Sequence, residues 1–118
     1  MNISIKLCEH IRERIIPQYV NFDKAHRIDH VEKVIEESMK LALHYEVNSA
    51  MVYTIAAYHD LGLCEGREFH HIVSGKILFA DETLWQWFTD DQMLQMKEAI
   101  EDHRASNKQA PRSIYGKI

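Results

Sequence analysis

The chain has 118 residues, of which 46% are hydrophobic and 27% are charged, and its formal net charge is -4 with neutral histidines. This length and composition predict a single globular domain over residues 1–118 that can bury a core. Lysines and arginines are scattered along an acidic chain, which excludes the basic face that duplex nucleic acid needs. Because the sequence has neither a membrane-length apolar stretch nor a signal-peptide core, we expect no membrane partner and a cytoplasmic location.

The hydrophobic residues of the first half recur at helical spacing. A first helix is predicted over residues 3–17, ended by its proline, and a second over residues 29–45. The third, residues 49–60, is apolar nearly all round, which indicates a central position. Gly62 is expected to end it as a C-cap glycine.

The second half continues this pattern. A fourth helix is predicted around residues 69–80, followed by a short aromatic turn around residues 84–88. A fifth opens at Thr89, with acidic residues in its first turn. No segment alternates like a strand, so the predicted fold is all-α, an irregular orthogonal bundle of five to six short helices.

An adjacent histidine and aspartate, His59 and Asp60, follow the apolar run at residues 51–58. An imidazole and a carboxylate buried there would be costly to desolvate without partners. A divalent cation would provide a partner for both. The pair therefore predicts a metal site at the end of the most buried helix.

Three more histidines, His30, His71 and His103, lie on the apolar stripes of three other predicted helices. If the bundle packs these stripes inward, the side chains converge on the His-Asp pair. Neutral imidazole plus carboxylate is the usual ligand set for Mn, Fe, Co, Ni or Zn. By contrast, His10 and His44 have polar or charged neighbours and are expected to be exposed.

These residues resemble, over essentially the whole chain, the HD-domain superfamily of metal-dependent phosphohydrolases. The matching segments are Ala-His-Arg-Ile-Asp-His30-Val-Glu-Lys-Val and Tyr-His59-Asp60-Leu-Gly. Two more, Arg67-Glu-Phe-His-His-Ile-Val-Ser-Gly75 and Ala-Ile-Glu-Asp-His103-Arg, resemble the added ligand segments of the dinuclear branches.

The resemblance implies one or two divalent ions, with a full site holding two. His30, His59 and Asp60 would hold the first ion with Asp60 bridging, and His71 and His103 would hold the second. His70 competes with His71 for that role, and the spacing to Gly75 favours His71.

The family's last aspartate lies downstream of the segment that contains His103, and this chain has no aspartate after His103. The resemblance therefore implies a C-terminally truncated domain that lacks one ligand. The alternative function is a non-catalytic metal- or ligand-binding helical module with an incomplete site. Oxidative chemistry at a di-iron centre would use the same ligands.

The function that the sequence favours is hydrolysis of a nucleotide or other small phosphate ester through a metal-activated water. Asp60 is the expected catalytic carboxylate, and His26 or His70 is a candidate to protonate the leaving group. The cations nearest in sequence to the proposed ligands are candidates to bind phosphate: Arg67, Lys76 and Arg104.

Overall fold

Every regular element in the described part of the chain is helical, which confirms the predicted all-α fold. The structure, a computed structural model, describes residues 3–21, 28–66, 68–102 and 115. The α-helices in these ranges are α1 (Ile5–His10), α2 (Ile28–Ala42), α3 (Ser49–Tyr58), α4 (His70–Ala80) and α5 (Asp90–Asp102). No helix within them is both long enough and apolar enough to cross a bilayer.

Helix α3 lies at the centre of the bundle, as its composition predicts. The Asn48 side chain caps its start by accepting hydrogen bonds from the backbone N–H groups of Ala50 and Met51 at 2.9 and 3.3 Å. Seven of its ten residues are buried, and the helix contacts α2, α4 and α5. Its C-terminal end is therefore surrounded by other helices, which is where the His-Asp pair lies.

The first helical segment does not end at Pro17. Helix α1 passes into a wider π-helical turn (Ile11–Ile15) and then a 3-10 helix (Ile16–Asn21). Pro17 occupies the second position of that 3-10 helix, where a missing backbone N–H costs little. The buried stripe therefore continues past the proline to Tyr19, which is completely buried.

The prediction that Gly62 caps α3 is wrong. The helix ends at Tyr58, with His59 as its C-cap, and Gly62 lies in the 3-10 helix Leu61–Glu65. The Gly62 N–H donates to Ser74 Oγ on α4 at 2.7 Å. A Cβ at this position would overlap the backbone of His70 and Ser74. Gly62 thus allows two backbones to approach closely.

Helix α5 begins with a reciprocal cap. The Thr89 N–H donates to Gln92 Oε1 at 2.9 Å, and the Gln92 N–H donates to Thr89 Oγ1 at 3.2 Å. This arrangement satisfies donors that a helix start leaves without partners. Helix α5 packs against α3 and α4, and its apolar residues Met93, Met96 and Ile100 are completely buried.

His10 is not exposed, contrary to the sequence-based expectation, whereas His44 is. The His10 side chain is 13% exposed, and its Nε2 lies 3.0 Å from Asp81 Oδ2. The Tyr58 hydroxyl donates to the same oxygen at 2.5 Å. These three residues, the Asp81 cluster, connect the end of α1, the end of α3 and the residue that follows α4.

The Asp81 carboxylate should stabilise the fold above pH 4 and lose this effect in acid. Burial raises the pKa of Asp81, but the hydrogen bonds from Tyr58 and His10 lower it by more. The net pKa therefore lies below the usual value. The stabilisation is then complete above the unfolded pKa of about 3.9 and is lost as pH falls through the lower folded value. Urea unfolding of the wild type and Asp81→Asn at pH 5, 4 and 3 should show a stability difference that shrinks below pH 4. A difference that is constant or grows in acid would contradict this prediction.

Candidate metal centre

Asp60 lies at the centre of a group of imidazoles, and its side chain is 6% exposed. Asp60 Oδ2 is 3.0 Å from His59 Nε2 and 3.9 Å from His30 Nε2. The other oxygen, Oδ1, is 3.4 Å from His70 Nε2 on α4. The two oxygens of one buried carboxylate therefore face different histidines: Oδ2 faces His30 and His59, and Oδ1 faces His70.

Among the described residues, two groups of potential metal ligands share this carboxylate. The first is His30, His59 and Asp60, and the second is Asp60, His70 and His71, each with its ligand atoms within 4.8 Å of one another. Ligands held about 2.0–2.2 Å from one zinc ion lie roughly 3–4 Å apart. The distances measured around Asp60 fall in that range, and the donors are those that first-row divalent cations prefer.

The orientation of His59 suits a metal ligand. Its Nδ1 lies 2.6 Å from the Ala56 carbonyl oxygen, so Nδ1–H donates there and Nε2 points to Asp60. Burial lowers the pKa of His59, but the hydrogen bond and negative charge of Asp60 outweigh burial and raise it above its ordinary value. A divalent cation would replace the Nε2 proton, and the backbone hydrogen bond would keep the ring in place.

Tyr19 supports the His-Asp segment from the side of the core. Its hydroxyl donates to the Ala57 carbonyl oxygen at 2.6 Å and accepts from the Asp60 N–H at 3.3 Å. Burial and the nearby Asp60 charge raise the pKa of Tyr19 above its ordinary value. The hydroxyl therefore stays protonated and holds the backbone that carries Asp60.

A comparison with protein families found one match relevant to this site. The model of the HD domain matches residues 27–118, which include His30, His59, Asp60, His70 and His71. The chain belongs to the HD-domain family. This membership places it in the metal-dependent phosphohydrolase superfamily. Comparisons with curated proteins and with solved structures gave no match.

The structure of this HD domain brings together four of the five histidine and aspartate ligands expected from the sequence: His30, His59, Asp60 and His71. It adds His70, because both neighbouring imidazoles have a ligand atom near Asp60. Their rings lie 3.9 Å apart between centroids with planes tilted by 40°. The sequence spacing that favours His71 does not separate the two side chains in space.

The remaining residues expected in the site are those proposed to bind substrate, to donate a proton or to add a ligand. Lys76 is exposed on α4, and its role in substrate binding stays a prediction. Four lie outside the described residues: His26, Arg67, His103 and Arg104. His26 therefore stays a predicted proton donor, and His103 stays a predicted metal ligand. Arg67 and Arg104 stay predicted phosphate-binding residues.

Sequence reasoning missed two residues that support the HD-domain site, Tyr19 and Ser74. Tyr19 continues the four-residue spacing of the buried residues Leu7, Ile11 and Ile15. That spacing predicts a buried Tyr19, but the prediction that the helix ends at Pro17 left this residue out. Ser74 is completely buried and accepts from the Gly62 N–H. Nothing in its sequence context indicates that partner.

Proposed function

We propose that this HD domain hydrolyses a small phosphate ester, such as a nucleotide, with the help of two divalent cations. The observation that carries the proposal is the position of Asp60, whose Oδ2 faces His30 and His59 while Oδ1 faces His70. A carboxylate in this position could be a ligand of both cations. The proposal rests on membership of a metal-dependent phosphohydrolase superfamily together with this geometry.

In this proposal each group of ligands has one role. His30, His59 and Asp60 would hold the first cation, and Asp60 with His70 and His71 would hold the second. Two cations bound there would supply a nucleophilic water near neutral pH and would neutralise charge on the transferring phosphoryl group. Mn, Fe, Co, Ni and Zn all accept this ligand set.

The remaining roles concern the substrate and the leaving group. The 3.4 Å approach of His70 Nε2 to Asp60 supports a ligand role for His70, which leaves His26 as the proposed proton donor to the leaving group. Arg67, Lys76 and Arg104 are proposed to bind phosphate oxygens, and His103 is proposed as an additional ligand. These assignments come from the sequence, and the phosphate-release assay described next can test each of them by substitution.

Phosphate release from nucleoside monophosphates and from glycerol phosphate, with Mn²⁺ and with chelator, tests the proposal. Release should require the cation and fall by more than about 100-fold in His59→Ala and His70→Ala, since changes in outer-shell partners alone cost about 10–100-fold. His44→Ala is the matched control, because His44 is exposed and belongs to neither ligand group.

Two results would contradict the proposal. One is phosphate release that survives chelation or both histidine substitutions. The other is cation binding without hydrolysis of any phosphate ester, which would indicate the non-catalytic binding module.

A further inference from the structure

The Asp81 cluster is a mostly buried polar group outside the candidate metal centre. Asp81 Oδ2 accepts hydrogen bonds from the Tyr58 hydroxyl at 2.5 Å and from His10 Nε2 at 3.0 Å. Asp81 Oδ1 accepts from the Thr83 N–H at 3.1 Å, which caps the 3-10 helix Glu82–Gln86. The Asp81 side chain is 19% exposed and Tyr58 is completely buried. One carboxylate therefore holds three elements together.

The cluster lies at the opposite end of α4 from the histidine pair. Asp81 follows α4 directly, and His70 is its first residue, so they are separated by about 16 Å at 1.5 Å per residue. Tyr58 precedes Asp60 by two residues. The chain from Tyr58 to Gly62 therefore contacts α4 at its end through Asp81, at its start through His70 and between them through Ser74.

We propose that Tyr58 is a positioning residue for the second cation, acting through Asp81. The Tyr58 to Asp81 hydrogen bond fixes α4 along its axis relative to the segment that carries Asp60. It thereby places His70 opposite Asp60 Oδ1, with His71 in the same ligand group. This inference rests on the two-cation site of the proposed function.

The two ligand groups should respond differently to a loss of this hydrogen bond. His30 lies on α2 and His59 lies at the end of α3, so neither ligand is carried by α4. His70 and His71 come from the first turn of α4, whose position the cluster fixes. A small displacement of α4 therefore weakens the second group and spares the first, because metal affinity falls steeply when ligands are poorly oriented.

The test is Mn²⁺ titration of Tyr58→Phe, which removes only the hydroxyl. Affinity for the second cation should fall about tenfold, within the range seen for changes in outer-shell partners, and affinity for the first should change less than twofold. Thr54→Val is the matched control. Thr54 is a completely buried residue on the same helix, and its hydroxyl donates to the Ala50 carbonyl oxygen at 2.8 Å.

A measurement on the metal-free protein makes the test independent of the cations. Amide hydrogen exchange at Val73, whose N–H donates to the Phe69 carbonyl oxygen in the first turn of α4, should speed up several-fold in Tyr58→Phe. It should not do so in Thr54→Val. Faster exchange at Val73 in Tyr58→Phe alone, together with weaker binding of the second cation, supports the positioning role of Tyr58.

Equal exchange at Val73 in both variants would overturn the inference, because Tyr58 would then contribute only general stability. Equal weakening of both cations in Tyr58→Phe would also overturn it. If the wild type binds fewer than two cations, the proposed function fails, and exchange at Val73 still decides whether Tyr58 positions α4.

Discussion

Replacing Asp60 with asparagine should abolish the binding of both cations. Asparagine keeps the size of the side chain but removes the negative charge and one of the two acceptor oxygens that face the histidine sets. Because loss of an outer-shell partner already costs about 10–100-fold, loss of the shared ligand should weaken each cation by more than about 100-fold. Calorimetric titration with Mn²⁺ measures both affinities, and phosphate release should disappear with them.

Asp29→Asn provides the control for charge in the Asp60 experiment. Asp29 is exposed on α2, directly before His30, and belongs to neither ligand group. Its replacement removes the same charge close to a proposed ligand and should leave both affinities within about twofold of the wild type. Retention of either cation at wild-type affinity in Asp60→Asn would show that the carboxylate does not join the two groups.

Gly62→Ala should lower the free energy of unfolding by about 3 kcal/mol. The added Cβ would overlap the His70 carbonyl oxygen and the Ser74 backbone nitrogen, which α4 holds in place. The overlap can be removed only by moving the 3-10 helix Leu61–Glu65 away from α4, and this movement breaks the hydrogen bond from Gly62 to Ser74. Urea unfolding gives the free energy of unfolding directly.

Gly75→Ala is the graded control for this substitution. Its Cβ would lie 3.3 Å from Lys97 Cγ and from the Lys97 carbonyl oxygen, a tight contact without overlap. Alanine is also favoured over glycine inside a helix by up to about 1 kcal/mol. We therefore expect Gly75→Ala to stay within about 1 kcal/mol of the wild type. Equal stability of the two variants would contradict the close approach at Gly62.

The sequence predicts the fold class and most of the residues that the structure groups around Asp60, because both depend on local patterns. The apolar composition of α3 predicts its burial, and the position of His59 and Asp60 at its end predicts a polar group that needs partners. His30 could be included because it lies one turn before Val34 on an apolar stripe. Side-chain periodicity carries this information within one helix at a time.

The contacts between helices could not be predicted in this way. Tyr58 lies in an apolar run, which predicts that it is buried in the core. Its hydroxyl donates to Asp81, 23 residues away, and the apolar run does not indicate this partner. The neighbours of His10 in sequence predict exposure, but Asp81, which follows α4, contacts its side chain. His70 and His71 differ by one position in sequence, yet both bring a nitrogen close to Asp60. Each of these depends on how elements pack, which periodicity does not encode.

The number of cations bound per chain is the most direct test of the central claim that Asp60 joins two ligand groups. Elemental analysis of the wild-type protein after loading with Mn²⁺ and removal of excess should give two ions per chain. One ion per chain would show that the groups around Asp60 do not act as two sites, and none would remove the basis for a metal-dependent hydrolase.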